Sequence, residues 1–245
     1  MGVTHHGRTH RLDLADPTLR EWTCRVLAAD PEQGIVLDRS AFYPGGGGQP
    51  PDHGVLLWQG VQTRVVGTRK GDDLWLIPAE GDPLPPVGTD VTGAVEDGRR
   101  TMLMRTHSGL HVLCGVVFRD FGALVTGGNM EPGEARMDFN LPEVPPDFKA
   151  RIEELVNAEV AADRSVAVRV LPRADALALP DIIRTQSNLI PPTEQEVRIV
   201  DIVGLDMQAD GGTHVASTAQ IGKVQVVKVE SKGRANRRVR VRLAD

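Results

Sequence analysis

The apolar residues of this 245-residue sequence change their period near residue 95, and that change constrains the fold more than any other feature. Before it, short runs such as "GIVLD" (34–38), "VLLW" (55–58) and "DLWLI" (73–77) are separated by turns rich in glycine and proline, including "YPGGGGQPPDHG" and "EGDPLPPVG". Short strands punctuated in this way predict a small β-rich barrel or sandwich. One stretch breaks the pattern. In "DPTLREWTCRVLAAD" (16–30), Leu19, Trp22, Val26 and Leu27 fit one face of a helix, so a helix is expected there.

Beyond residue 100 the period becomes helical. Leu103, His107, Leu110, His111, Cys114, Val117 and Phe118 fall near one face, with Thr106 either capping the helix or lying just inside it. A second helix is expected in "DFKARIEELVNAEVAADR", where Phe148, Ile152, Leu155, Val156 and Val160 keep the i, i+4, i+7, i+8 spacing. "SVAVRVL" (165–171), "VRIVDI" (197–202), "KVQVVKV" (223–229) and "RVRVRL" (238–243) read as strands. The expected fold class is therefore α+β: a β-rich domain over residues 1–95, then a domain of helices and antiparallel sheet over 96–245.

Composition narrows the function classes. Aromatic residues are only 4% of the chain, which argues against stacking on many bases as the main mode of action. No apolar run approaches the ~20 residues of a membrane helix, and nothing at the N-terminus reads as a signal peptide. Cys24 and Cys114 form no close pair, which suits a reduced, cytoplasmic compartment. The net charge of -5 is unevenly spread: from Gly222 onward eight basic residues face only Glu230 and Asp245, so that segment carries +6 and the rest -11. A basic strip on an acidic body can bind phosphates locally, although Lys and Arg also serve simply to protect strand edges.

Two motifs carry possible chemistry. On a helix, His107 and His111 lie four apart on one face and can direct both imidazoles at one ion. Alone, such a pair also fits two satisfied interior histidines. The same spacing recurs in "DMQADGGTHVASTAQIG", where Asp210 and His214 flank Gly211, Gly212 and Thr213. That stretch reads either as a hairpin turn with capping Asp and Thr or as a turn aiming both side chains at one point. Together the motifs offer three imidazoles and a carboxylate, a set suited to zinc or another first-row divalent metal. Gly47, Gly48 and Gln49 form the GGQ tripeptide that release factors use on peptidyl-tRNA esters. With only Arg39 as a nearby cation, a structural glycine turn is the better reading.

Three blocks in order, "VLDRSAFYPGGGGQPPDHG", "VTGAVEDGRRTMLMRTHSGLHVL" and "VRIVDIVGLDMQADGGTHVASTAQIG", resemble the freestanding alanyl-tRNA editing proteins, the AlaX-type relatives of the alanyl-tRNA synthetase editing domain. The resemblance covers almost the whole chain after the first ten residues and points to the medium-length class. It implies a cytoplasmic two-domain hydrolase, acting without membrane or DNA partners. Its reaction would be metal-dependent removal of serine, with glycine left open, wrongly attached to tRNA(Ala). It assigns one zinc ion to His107, His111, Asp210 and His214. Asp210 stands where the family has cysteine, which should weaken zinc preference or leave three histidines and an open position. Asp206 becomes a substitute ligand, or a candidate general base if Asp210 binds the metal.

The resemblance also places Thr126 near a hydroxyl residue that tells serine from alanine, although an ordinary strand threonine fits equally. Gln220 stands where glutamate is usual, and Gly98 where tryptophan is common. Arg99, Arg100 and Arg105, with Lys223, Arg238 and Arg240 of the basic strip, are candidates for phosphate contacts. Two other readings remain open: a metal-dependent hydrolase with another substrate, and an RNA-binding module with a structural metal.

Overall fold

The computed structural model describes residues 5–244. They divide into two compact units. Residues up to Gly46 together with Pro50–Thr101 form the first, and Gly47–Gln49 with Met102 onward form the second.

In the first unit, β1 (His5–His6) pairs with β2 (Thr9–Arg11), and one helical turn, α1 (Leu12–Ala15), follows. The remaining strands are β3 (Glu21–Asp30), β4 (Gly34–Leu37), β5 (Arg39–Ser40), β6 (Gly54–Trp58), β7 (Val61–Lys70), β8 (Leu74–Pro78) and β9 (Asp90–Val95). The order β3-β4-β8-β7-β6-β9 closes into an antiparallel barrel, with β3 pairing β9 to complete the ring. Trp22, Val26, Ile35, Leu37, Phe42 and Leu56 fill its interior.

The helix expected over 16–30 is not formed. From Glu21 onward that stretch is β3, in which Trp22, Cys24 and Val26 point inward while Glu21, Thr23 and Arg25 face out. The apolar residues that matched a helical face also contain this period-2 alternation. Ladders with β4 and β9 on either side satisfy the backbone. Before the strand, Asp16 Oδ1 accepts from the Thr18 N–H at 2.8 Å and fixes a turn.

Arg100 also departs from expectation. It is fully buried against the equally buried Asp52, with Nε 3.0 Å from both carboxylate oxygens, and it donates to the Pro17 and Ala41 carbonyls at 2.7 and 2.6 Å. A guanidinium so enclosed ties the Pro17, Ala41 and Asp52 segments together and has no face left for a phosphate.

The second unit takes most of α2 (Asp97–Phe121), whose first five residues belong to the first unit. The hairpin β10 (Val125–Glu131) and β11 (Glu134–Phe139) follows, then α3 (Phe148–Ala161), β12 (Val166–Pro172), α4 (Arg173–Leu177), β13 (Glu196–Ile202) and β14 (Asp206–Ala209). A 3₁₀ turn over Thr218–Ile221 leads to β15 (Lys223–Ser231) and β16 (Arg237–Ala244). One antiparallel sheet runs β10-β11-β16-β15 and a second β12-β13-β14, so the chain is a mixed, strand-rich α+β protein.

From Thr106 to Val117 every residue of α2 is buried, not only the expected apolar face. A helix enclosed on all sides must bury its polar residues too, and each then needs a partner. Thr106 lies inside the helix, donating to the Met102 carbonyl at 2.7 Å and accepting from the Gly133 N–H at 2.9 Å. Among the described residues, no helix is long and apolar enough to cross a membrane.

Candidate metal centre

The helical rise brings His107 and His111 to one side of α2, with ring centroids 5.1 Å apart. His214 arrives from the segment after β14, its ring 4.4 Å from His107 and 4.6 Å from His111. Asp210 completes the group, and one ligand atom from each of the four lies within 4.8 Å of the others. All three histidines are buried. "DGGTH" joins no hairpin, since among the described residues β14 pairs only with β13, but Asp210 does close a local turn: its Oδ2 accepts from the Gly212 N–H at 2.6 Å and lies 3.0 Å from His214 Nε2.

The hydrogen bonds at the outer ring nitrogens decide what faces inward. Gln49 Oε1 accepts from the Thr213 N–H at 3.1 Å, while Gln49 Nε2 donates to Thr213 Oγ1 at 2.9 Å, so the amide has one consistent orientation. His107 Nδ1, 2.9 Å from that same oxygen, must then be the donor, leaving its Nε2 a lone pair. His111 Nδ1 lies 3.1 Å from Asp206 Oδ2, and a carboxylate only accepts, so Nδ1–H is the donor and Nε2 is the nitrogen turned into the group. His214 Nδ1 meets Ser108 Oγ at 3.1 Å, and a hydroxyl that can donate or accept serves either tautomer. Three Nε2 atoms and a carboxylate thus face one another, each histidine held from behind by a polar group.

This donor set fits a first-row divalent ion. Imidazole nitrogen and carboxylate oxygen are common zinc ligands, and the anchoring of the distal nitrogens is what a ligating histidine requires. The charges agree. Burial pushes the His107 pKa well below its ordinary value, outweighing the nearby Asp210 charge. Burial likewise lowers His214, to about 4. For His111 burial works the same way, but the Asp206 hydrogen bond and the Asp210 charge outweigh it and leave the pKa raised. Burial opposes ionisation of Asp210, yet the facing imidazoles, His107 first, hold its carboxyl well below the usual range. The group is therefore an ionised carboxylate facing imidazoles, two of which resist protonation.

Two glycine features allow this packing. A Cβ on Gly212 would lie 2.2 Å from His107 Cε1 and 2.9 Å from Gln49 Oε1, so only glycine lets the turn pass over the ring. Gly47 and Gly48 adopt φ of 57° and 87°, and the Gly48 carbonyl accepts from the Met130 N–H at 3.1 Å, which places Gln49 against His107.

Other sequence candidates fall elsewhere. Asp206, buried, accepts from His111, from Arg184 Nε at 3.3 Å and from Gln208 Nε2 at 2.7 Å, so in this arrangement it orients a histidine. Thr126 is exposed and donates to Asn236 Oδ1 at 3.1 Å, which is not the buried hydroxyl expected of it. Arg99 bonds the Pro51 carbonyl at 3.2 Å and Arg105 the Ile221 carbonyl at 2.9 Å. Lys223, Arg238 and Arg240 lie on β15 and β16, where Arg238 pairs with Asp138 and Arg240 with Glu230.

Sequence reasoning missed Gln49 as part of the centre, and with it Ser108 and Thr213. Each of the last two adjoins a histidine in its motif, which was the available signal. Gln49 lies 58 residues from His107, and no local pattern links them.

Comparison with known proteins adds an independent line. Residues 20–99 match the family described as tRNA synthetases class II (A), and residues 197–240 match the threonyl and alanyl tRNA synthetase second additional domain. The alanyl-tRNA editing protein AlaX-M of Saccharolobus solfataricus is 36% identical over 238 residues, covering 94% of this chain and 97% of its own length. The AlaX-M protein of Methanosarcina mazei is 33% identical over 244 residues, 97% of each chain. An alanine–tRNA ligase of Pyrobaculum neutrophilum is 37% identical over 230 residues, which is 91% of this chain but 25% of the ligase.

Proposed function

Because the chain belongs to the AlaX-M family of alanyl-tRNA editing proteins, we propose that it hydrolyses the ester of tRNA(Ala) mischarged with serine, in a metal-dependent reaction. The observation that carries this reading is the convergence of His107, His111 and His214 with Asp210 around one point, with the distal nitrogens anchored.

His107, His111, His214 and Asp210 would hold the ion, zinc or another first-row divalent metal. When bound there it supplies Lewis acidity and a neutral-pH source of hydroxide. The chain's own residues do the positioning. Gln49 and Asp206 lock two histidines in the tautomer that faces inward, and Ser108 adjusts to the third. Burial keeps the His107 and His214 imidazoles unprotonated, as ligation needs. Of the four ligands Asp210 is the most exposed, its side chain 12% accessible, so the seryl ester approaches past that carboxylate. Its hard oxygen in place of a thiolate makes the ion more exchangeable while leaving the three imidazoles in place.

The test is hydrolysis of Ser-tRNA(Ala) against Ala-tRNA(Ala) by the metal-loaded protein. Rapid loss of serine with alanine retained is expected. Equal stability of both esters in the presence of folded, metal-loaded protein would overturn the proposal.

A further inference from the structure

The outer face of the sheet β10-β11-β16-β15 carries an arrangement that folding alone does not favour. Register places Arg136 of β11 directly opposite Arg240 of β16, and Arg240 directly opposite Lys228 of β15. Three cations thus form one row across three neighbouring strands, spanning about 10 Å. Like charges facing each other on adjacent strands destabilise a sheet, so such a row needs a reason.

The flanking rows neutralise it only in part. On one side Arg238 stands between Asp138 and Glu230, and on the other Arg242 stands between Glu134 and Gln225. Asp138 is shared by Arg136 and Arg238, at 3.3 and 2.7 Å, and Glu230 by Arg240 and Lys228, at 2.6 and 3.0 Å. Each carboxylate therefore leaves one positive charge uncompensated, while Arg242, which bonds Gln225 at 2.8 Å, stands opposite Glu134, itself beside Glu131 of β10. Along β16, Arg238, Arg240 and Arg242 recur on this face about every 7 Å, close to the separation of successive phosphates on a nucleic-acid strand. The shared carboxylates also hold the long side chains in place before any ligand arrives, which lowers the cost of ordering them on binding.

We propose that this face is a docking surface for the phosphodiester backbone of RNA, with the cross-strand row Arg136–Arg240–Lys228 at its centre. The choice of tRNA as occupant rests on the proposed function and on the spacing of the cations along β16, which matches a phosphodiester backbone. The surface is distinct from the histidine centre and extends the sequence-based phosphate candidates to Arg136, Lys228 and Arg242.

The experiment is binding of uncharged tRNA(Ala), followed by fluorescence anisotropy across a salt titration, to the full chain and to the triple variant Arg136→Gln, Lys228→Gln, Arg240→Gln. A charge-matched control replaces Arg8, Arg25 and Arg64 with Gln, each of which pairs with an aspartate of its own. The row variant should lose about tenfold or more in affinity and its salt slope should fall by about 2 to 3. The control should bind as the parent does. Because neutralising the row removes repulsion, the row variant should melt no lower than the parent. Unchanged affinity and slope, or an equal loss in the control, would overturn the proposal. So would stronger capture by phosphatidylglycerol vesicles than by tRNA. Uncharged tRNA carries no ester, so a protein that left Ser-tRNA(Ala) intact yet lost tRNA binding in the row variant would refute the editing reading and uphold this one.

Discussion

Replacing Gln49 with alanine should weaken metal binding although Gln49 contributes no ligand. The side chain is 2% exposed and makes three hydrogen bonds, two through Oε1 and one through Nε2. Gln49→Ala strands two buried donors, His107 Nδ1–H and the Thr213 N–H, at about 1–3 kcal/mol each, less where water enters the space. The functional effect is separate from that stability loss. Without its acceptor, His107 is free to exchange tautomers and rotate, and loss of such an outer partner typically weakens metal affinity about 10- to 100-fold, or roughly 1.4–2.7 kcal/mol. Gln49→Glu keeps an acceptor for both donors, and the Thr213 hydroxyl can rotate to donate to it, so this variant should bind zinc within a few-fold of the parent. Competition against a chromophoric chelator measures all three proteins, with a thermal melt confirming that each is folded. A folded Gln49→Ala protein that binds zinc as tightly as the parent would show that His107 needs no support from Gln49.

Arg100→Met should destabilise the first unit by about 3–5 kcal/mol, because the Asp52 carboxylate stays buried without its partner; adding Asp52→Leu should recover much of this in a denaturant melt. Asp210→Cys supplies a softer ligand and should raise zinc affinity in the same chelator competition, and unchanged affinity would argue that Asp210 is not a ligand. Stability of the metal-free protein should depend on pH through His214, whose folded pKa is about 4 against an ordinary 6.5. The unfolded chain binds the proton between those values, so His214 adds stability as pH rises through that window, by about 3 kcal/mol, and the depressed His107 adds in the same direction. Urea melts of chelator-treated protein should show this rise, diminished in His214→Asn.

Elements with a clean period were legible in the sequence. Phe148, Ile152, Val156 and Val160 of α3 are buried as their spacing requires, and the alternating runs at 223–229 and 238–243 are strands β15 and β16. The stretch 16–30 misled because Trp22 and Val26 satisfy both a helical and a strand period, and the choice was made by its ladder partners, β4 just after it and β9 far along the chain. Within the candidate site, the four-residue spacings brought out the histidines and Asp210. The partners behind them were hidden because a hydrogen bond such as Gln49 to His107 depends on how distant segments meet. GGQ does form a tight glycine turn, but what the turn delivers is the glutamine. Asp206 was legible as an acid near the site, while its engagement with His111, Arg184 and Gln208 was not.

Metal dependence of the editing reaction is read by titrating the metal-free protein with zinc while following single-turnover decay of Ser-tRNA(Ala). Negligible hydrolysis in chelator and a rise to a plateau at one equivalent of metal are expected, with His107→Ala remaining flat. Full hydrolysis by the metal-free protein, or a His107→Ala variant as active as the parent, would contradict that dependence.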